Sequence, residues 1–84
     1  MKILAVRPAP RSASGRVLAF FDVEIGEHLR LYNLALRRTP DGRLRTVAPR
    51  TDGKHCATFH PDLANDISAA ANVALGGRAA NADR

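Results

Sequence analysis

The alternation of apolar and polar side chains predicts strands along most of the chain up to residue 59. The clearest strand covers 17–25, where every second side chain is apolar and Asp22 and Glu24 fall between them. Successive side chains of a strand point to opposite faces, so one face of this strand should be buried, with Phe21 in the core. The face that carries the two acids should meet solvent.

A second strand is predicted over 28–36. Gly26-Glu27, between the two strands, is typical of a two-residue type II′ hairpin, in which glycine takes the first turn position. The leucines of this strand change phase around Tyr32 and Asn33, from Leu29 and Leu31 to Leu34 and Leu36. A β-bulge at that point would bring both pairs of leucines to one face, and a sheet covered on both sides would explain the pattern equally well.

Turn motifs define the other strands. A first strand over 2–7 ends before two prolines, which cannot donate to a sheet ladder, and 11–15 has turn composition. Thr39-Pro40-Asp41-Gly42 predicts a β-turn that leads into a strand over 43–48. A second turn at 50–53 leads into a weaker final strand over 55–59, with Phe59 expected in the core.

The end of the chain predicts one helix. Pro61 suits the first helical position, Asp62 lies where the helix dipole favours an anion, and His60 is expected to serve the helix N-terminus. Gly76-Gly77 should end the helix. Its apolar stripe is predicted to contain Leu63, Ile67, Ala70 and Ala74. The fold class is therefore α+β, a small antiparallel sheet of about five strands followed by a C-terminal helix packed on one face.

The length restricts what such a domain can do. Eighty-four residues form a single domain, which we place at 1–77, followed by a frayed tail at 78–84. A chain of this size buries only about 60 to 65% of the surface that its unfolded form exposes, which leaves little material for a deep cleft. We therefore expect neither an enzyme nor a cofactor. The small size and the uncovered sheet face together predict a homodimer.

The sequence favours a cytoplasmic protein without a membrane partner. The longest uninterrupted apolar stretch, Val17 to Phe21, has five residues, whereas a membrane span needs about 20. No apolar run precedes a small-residue cleavage site near the N-terminus. The single cysteine, Cys56, cannot form an internal disulfide and is interpreted as small, semi-buried core filler.

The basic residues are concentrated in one segment. Of the 13 lysines and arginines, 11 are arginines, and the net charge of the chain is +5. Segment 30–54 contains seven of these bases against two acids. Arginine pairs two donors with phosphate oxygens, so the six bases that flank the two turns are candidate nucleic-acid-binding residues. They are Arg37, Arg38, Arg43, Arg45, Arg50 and Lys54.

Alternatives to nucleic-acid binding stay open on charge alone. Arginine-rich strands can be solvated surface, and Arg43 and Arg45 could protect a sheet edge from aggregation. Six phosphate contacts would give a slope of log affinity against log salt of roughly −5 on duplex DNA. The aromatic residues are too few to predict an RNA-recognition sheet with two or three stacked rings, although Tyr32 is expected to be exposed.

Metal and catalytic chemistry is not predicted. His55, Cys56 and His60 are ligand types that lie close together, but their spacing matches no zinc pattern, and neighbouring strand residues point to opposite faces. Cys56 has no paired acid to orient a base, and no glycine-rich phosphate loop opens the helix. We expect no metal site and no catalytic residues.

A series of short motifs follows the chain between residues 6 and 75. The motifs are Val6-Arg7, Gly15-Arg16-Val17-Leu18-Ala19, Leu31-Tyr32-Asn33-Leu34, Gly42-Arg43-Leu44, Val47-Ala48-Pro49, Arg50-Thr51, Asp52-Gly53 and His60-Pro61. In this order they resemble the SpoVG family of small bacterial regulators. The chain differs from the family in Tyr32-Asn33, where the family has His-Asp, in a shorter basic loop, and in the lack of a charged C-terminal segment.

The resemblance implies a small sheet with a C-terminal helix, a homodimer, and DNA or RNA binding in gene regulation. It implies a nucleic-acid contact for Arg50 and Lys54, which lie in the basic loop. The expected function is therefore a dimeric nucleic-acid-binding regulator. The alternative is a non-catalytic interaction module that binds an acidic protein.

Overall fold

The computed structural model describes residues 1–10 and 16–76; the predicted turn over 11–15, Gly77 and the predicted tail over 78–84 lie outside these ranges. The described elements follow one another as strands and then a helix. They are β1 (Lys2–Pro8), β2 (Val17–Ile25), β3 (Leu29–Arg38), β4 (Leu44–Val47), β5 (Arg50–Thr51), β6 (Lys54–His55) and α1 (Pro61–Ala74).

Strands β1 to β4 form one antiparallel sheet in the order β1-β2-β3-β4, and β5 and β6 form a separate small hairpin. Helix α1 packs on one face of the larger sheet, mainly against β4 and β1. The predicted α+β class is thus confirmed. We call the face toward α1 the inner face and the opposite face the outer face.

The alternation in β2 separates these two faces as predicted. Phe21 is fully buried, and it pairs with Val6 in β1 and Leu34 in β3. The partly buried Phe59 packs against this core, in agreement with its predicted role. The buried apolar cluster consists of Ala19, Phe21, Val23, Leu34, Leu36, Ala48, Ile67, Ala71 and Leu75.

The phase change in β3 is a β-bulge. Phe21 pairs with Leu34 and Val23 pairs with Leu31, so two residues of β3, Tyr32 and Asn33, lie opposite the single residue Asp22. Asn33 has φ +59°, a left-handed conformation that asparagine adopts more readily than most residues. The bulge brings Leu31, Leu34 and Leu36 to the inner face, which selects the first of the two explanations that the sequence left open.

A polar cluster on the outer face holds the bulge. Arg7 donates two hydrogen bonds to the Asp22 carboxylate, of 3.0 and 3.2 Å, and the Asn33 backbone N–H donates a third of 2.8 Å. The Arg7 guanidinium, and after it the Asn33 N–H, holds the pKa of Asp22 below its ordinary value. Glu24 also lies on this face and accepts from Arg30 at 2.9 Å. The two acids of β2 are therefore both paired with arginine.

Helix α1 begins as predicted but presents a different stripe to the sheet. Nδ1 of His60 accepts the Asp62 N–H at 3.2 Å, Pro61 opens the helix, and Gly76 follows its end with φ +83°. Ile67 is buried as predicted, but Ala74 is exposed and Ala70 is only partly buried. The fully buried positions are Ile67, Ser68, Ala71 and the C-cap Leu75.

A buried pair of hydroxyl groups explains why the buried stripe of α1 differs from the predicted one. Ser68 donates to the Ala64 carbonyl at 2.9 Å, which leaves its oxygen to accept from Thr46 of β4 at 2.8 Å. Each hydroxyl has one proton, so this is the only direction in which both bonds form. The small Ser68 and Ala71 let the helix approach β4 closely.

Two turns differ from the prediction. The β2–β3 connection has three residues, Gly26 to His28, since Ile25 pairs with Leu29. The final strand predicted over 55–59 is wrong. Asp52-Gly53, with positive φ at both residues, closes the β5–β6 hairpin, and 57–59 runs on to the helix without strand pairing.

Candidate nucleic-acid interface

Arginines from three parts of the chain line one cavity of ≈ 310 Å³. It lies where β3 ends, β4 begins and the β5–β6 hairpin approaches the sheet, and we call it the arginine groove. Its lining contains no aspartate or glutamate. The lining residues are Arg16, Arg37, Arg38, Thr39, Pro40, Arg45, Val47, Arg50 and His55.

Two of these arginines face each other across neighbouring strands. Arg37 of β3 pairs in register with Arg45 of β4, and both belong to the outer face because their neighbours Leu36 and Thr46 are buried against the helix side. Like charges directly opposite in an antiparallel pair destabilise a sheet. An anion between the two guanidinium groups would offset that repulsion.

The strand ends bring two more arginines to the groove. The Arg38 N–H donates to the Arg16 carbonyl at 2.9 Å, which fixes the start of β2 beside the end of β3. Nη2 of Arg38 is closed off from solvent and has no hydrogen-bond partner within residues 1–10 and 16–76. A buried guanidinium nitrogen without a partner is costly, so Arg38 brings a positive charge to the groove at some expense in stability.

The β5–β6 hairpin supplies the remaining wall. Arg50 donates from Nη2 to the Gly53 carbonyl at 2.7 Å, a bond that ties its guanidinium across the hairpin turn. Nδ1 of His55 lies 3.0 Å from the Ala48 carbonyl. A carbonyl oxygen only accepts hydrogen bonds, so Nδ1 carries the proton and donates it to the Ala48 carbonyl, and Nε2 takes no part in this bond. Both side chains are oriented by backbone carbonyls rather than by acids.

The groove arginines differ from the other arginines in their partners. Arg7, Arg30 and Arg43 each form an ion pair, with Asp22, Glu24 and Asp41 respectively. Over the described ranges, the five arginines of the groove form none. Within the described ranges, the arginines that lack an ion-pair partner are therefore those of the groove. Their positive field attracts anions.

Four of the six residues predicted from the sequence line the groove, namely Arg37, Arg38, Arg45 and Arg50. The other two do not. Arg43 is highly exposed beside Asp41 in the β3–β4 turn, and Lys54 is exposed on β6. The residues flanking the two turns thus divide into a converging set and a peripheral set.

Two residues of the groove, Arg16 and His55, are not among the residues predicted from the sequence. Arg16 lies outside the basic segment 30–54, but the antiparallel pairing of β2 with β3 brings the start of β2 beside the end of β3. His55 is recognisable in the sequence only as a metal-ligand type. Its position in the groove follows from the β5–β6 hairpin, which the apolar pattern does not predict.

The other chemical candidates contribute little to this site. Cys56 is exposed, so its interpretation as semi-buried core filler is wrong; its Sγ lies 3.3 Å from Thr51 Oγ1. Within the described ranges, no group of three or more metal-ligand side chains comes together. The single helix of those ranges is too short and too polar to cross a membrane.

Comparisons with known proteins add no relative. No protein-family model matches the chain, and neither the curated proteins nor the solved structures give a match. The resemblance to the SpoVG family therefore stays a prediction, and the function has to be argued from the groove itself.

Proposed function

We propose that this protein is a nucleic-acid-binding regulator of the bacterial cytoplasm, and that it binds the phosphate backbone in the arginine groove. One observation carries the proposal: five arginines converge on one cavity without a carboxylate partner in the described ranges, while the other three arginines of those ranges are each paired. The sequence motifs that resemble the SpoVG family support the same function.

Phosphate suits this arrangement for three reasons. Guanidinium groups offer planar pairs of N–H donors that match phosphate oxygens. The repulsion between Arg37 and Arg45 falls when an anion lies between them. Several arginines in one cavity favour a ligand with closely spaced charges, which a nucleic-acid backbone provides.

An acidic protein is the competing partner. Its carboxylates would also pair with arginine, but they are spaced by side chains of variable length and seldom present several charges to one small cavity. Nucleic acid that co-purifies with the protein and is released by a high-salt wash distinguishes the two partners. A co-purifying acidic protein, with no nucleic acid, would favour the alternative.

Salt dependence tests the proposed function directly. With five phosphate contacts, the slope of log affinity against log salt should be about −4.5 on duplex DNA and about −3.5 on a single strand. Fluorescence anisotropy with labelled oligonucleotides at several salt concentrations gives this slope. A slope near zero, or no binding at low salt, would contradict the proposal.

We further propose a homodimer formed at the end of the sheet away from the groove. Met1 and Leu29 are exposed there, at 52 and 47% respectively, because Lys2 pairs with Glu24 and Leu29 pairs with Ile25 beside the β2–β3 turn. Leu4 of β1 and Tyr32 of β3 are also exposed, at 39 and 58%. Exposed large apolar side chains can be covered by a second copy. A second copy at this end would leave both grooves accessible.

Light scattering at tens of micromolar tests the dimer. The expected mass is twice the 9.1 kDa of one chain. Leu29→Glu should shift the mass toward that of one chain, because a charge would be buried between two copies. Val73→Glu is the matched control, since Val73 is 76% exposed on the helix. A wild-type mass of a single chain would overturn the proposal.

A further inference from the structure

The outer face holds an aromatic side chain that the core does not use. Phe20 is half-buried and is absent from both the buried cluster and the partly buried side chains that pack against it. It follows from the alternation in β2 that Phe20 points away from the helix, because Ala19 and Phe21 are buried on the inner face. A large aromatic residue is therefore presented on the face that also holds Arg37 and Arg45.

The neighbours of Phe20 form a row across the outer face of the sheet. Phe20 pairs with Arg7 on one side and with Ala35 on the other, and Ala35 pairs with Val47, which lines the arginine groove. The small side chain of Ala35 leaves the edge of the Phe20 ring uncrowded from β3. This row can accept a planar group laid against the sheet.

One nucleotide is long enough to reach from the arginine groove to this row. Ala35 and Arg37 are two residues apart on the same strand, so neighbouring-strand and along-strand spacings put the Cα atoms of Phe20 and Arg37 about 8 Å apart. That separation is comparable with the distance from the phosphate of a nucleotide to its base. A phosphate held by Arg37 and Arg45 can therefore bring its base over Phe20.

Helix α1 has the wrong charge for reading a duplex. It carries Asp62 and Asp66, no lysine or arginine, and it lies on the inner face, so it is unsuited to the major groove. The arginines instead line a concavity between two hairpins. The convex backbone of a duplex can touch only the rim of such a cavity, whereas a single strand can enter it.

We infer that the ligand of this site is single-stranded nucleic acid, with phosphates in the arginine groove and an unpaired base stacked on Phe20. The inference rests on the proposed function and specifies its substrate class. A base within a duplex is already stacked on its neighbours and is not available to Phe20. Stacking on one aromatic residue supplies affinity with little sequence preference.

The first measurement compares the affinity of the unmodified protein for single-stranded and for duplex DNA. Anisotropy titrations use a labelled thymidine oligonucleotide of about 12 nucleotides, and a duplex of the same length, at equal salt. The single strand should bind at least about tenfold more tightly. Equal affinity, or tighter binding of the duplex, would overturn the inference and leave the proposed function standing. No binding of either would overturn both.

The second measurement tests whether the base stacks on Phe20. Phe20→Ala should weaken single-strand binding by about 5- to 100-fold, while Phe20→Tyr, which retains the ring, should bind like the wild type. The salt slope should not change, because no phosphate contact is removed. A Phe20→Ala variant that binds the single strand as tightly as the wild type would contradict the stacking.

A fluorescent version gives direct evidence of contact. The chain contains no tryptophan, so Phe20→Trp introduces a single reporter at the row. Its emission should be quenched by the single strand and little changed by the duplex. Val73→Trp, on the exposed side of the helix, is the matched control and should not be quenched by either. Binding of the single strand without quenching at position 20 would overturn the proposed position of the base.

Discussion

Exchanging Arg37 and Arg45 together for glutamate is expected to weaken nucleic-acid binding by at least about 100-fold. Each arginine contributes a charge-assisted hydrogen bond of about 1.5 to 3 kcal/mol to a bound phosphate, so two such losses exceed a hundredfold in affinity. The new carboxylates would also repel the backbone. Anisotropy titrations at fixed salt measure the loss of affinity. Titrations at several salt concentrations should give a shallower slope, equivalent to the loss of about two phosphate contacts.

The matched control for this variant is Arg43→Glu together with Lys54→Glu. Both double variants lower the net charge from +5 to +1, but Arg43 and Lys54 lie outside the groove. The control should lose less than about fivefold in affinity, because only its long-range field changes. Equal losses in the two variants would mean that affinity follows overall charge and not the groove.

Phe21→Ala should destabilise the fold by about 3 to 5 kcal/mol. Phe21 is the largest of the fully buried side chains, and its removal leaves a cavity between β2 and the helix that the rigid sheet cannot close. For a domain of this size, each kcal/mol corresponds to about 4 to 8 °C in the melting temperature. Thermal unfolding followed by circular dichroism should therefore show a fall of more than about 12 °C.

The adjacent residue provides the comparison for this experiment. Phe20→Ala removes the same ring from the outer face, where part of it already meets solvent, and should cost much less stability than Phe21→Ala. The two variants should thus separate stability from binding: Phe21→Ala affects the fold, and Phe20→Ala affects the affinity for a single strand. Equal destabilisation by both would show that the assignment of the two faces is wrong.

The sequence predicts the central part of the fold well. Strand β2 has the predicted boundaries, and α1 begins where Pro61 and Asp62 indicate. The bulge at Tyr32 and Asn33 was one of two explanations. Only the register with β2, in which Asp22 faces both residues, decides between them.

Long-range contacts determine what the sequence left unpredicted. The buried stripe of α1 depends on Ser68, a polar residue that hydrophobic periodicity ignores, and on its hydrogen bond to Thr46. The strand predicted over 55–59 fails because Asp52-Gly53 favours an earlier, tighter hairpin. A buried hydrogen bond in the first place, and a tight turn in the second, outweigh the local apolar pattern.

The candidate site is also predicted only in part by the sequence. The concentration of basic residues in 30–54 predicts the region, and four of the six named residues do converge. Which of them converge depends on the pairing of Arg37 with Arg45 and on the position of the β5–β6 hairpin. Arg16 comes from a distant part of the sequence, and Arg43 lies outside the groove, beside Asp41 in the β3–β4 turn.

The bulge in β3 has a further consequence for how the chain tolerates change. Before it, Leu31 lies on the inner face; after it, Leu34 and Leu36 do, and Arg37 faces outward. Deletion of one of the two bulge residues would leave a regular strand, with Leu31 and Leu34 two residues apart on the same face and Arg37 still facing outward. Deletion of one residue between Leu34 and Arg37 would instead turn Arg37 toward the core. The bulge is therefore the place in this strand where the loss of one residue keeps both the core and the arginine groove in phase.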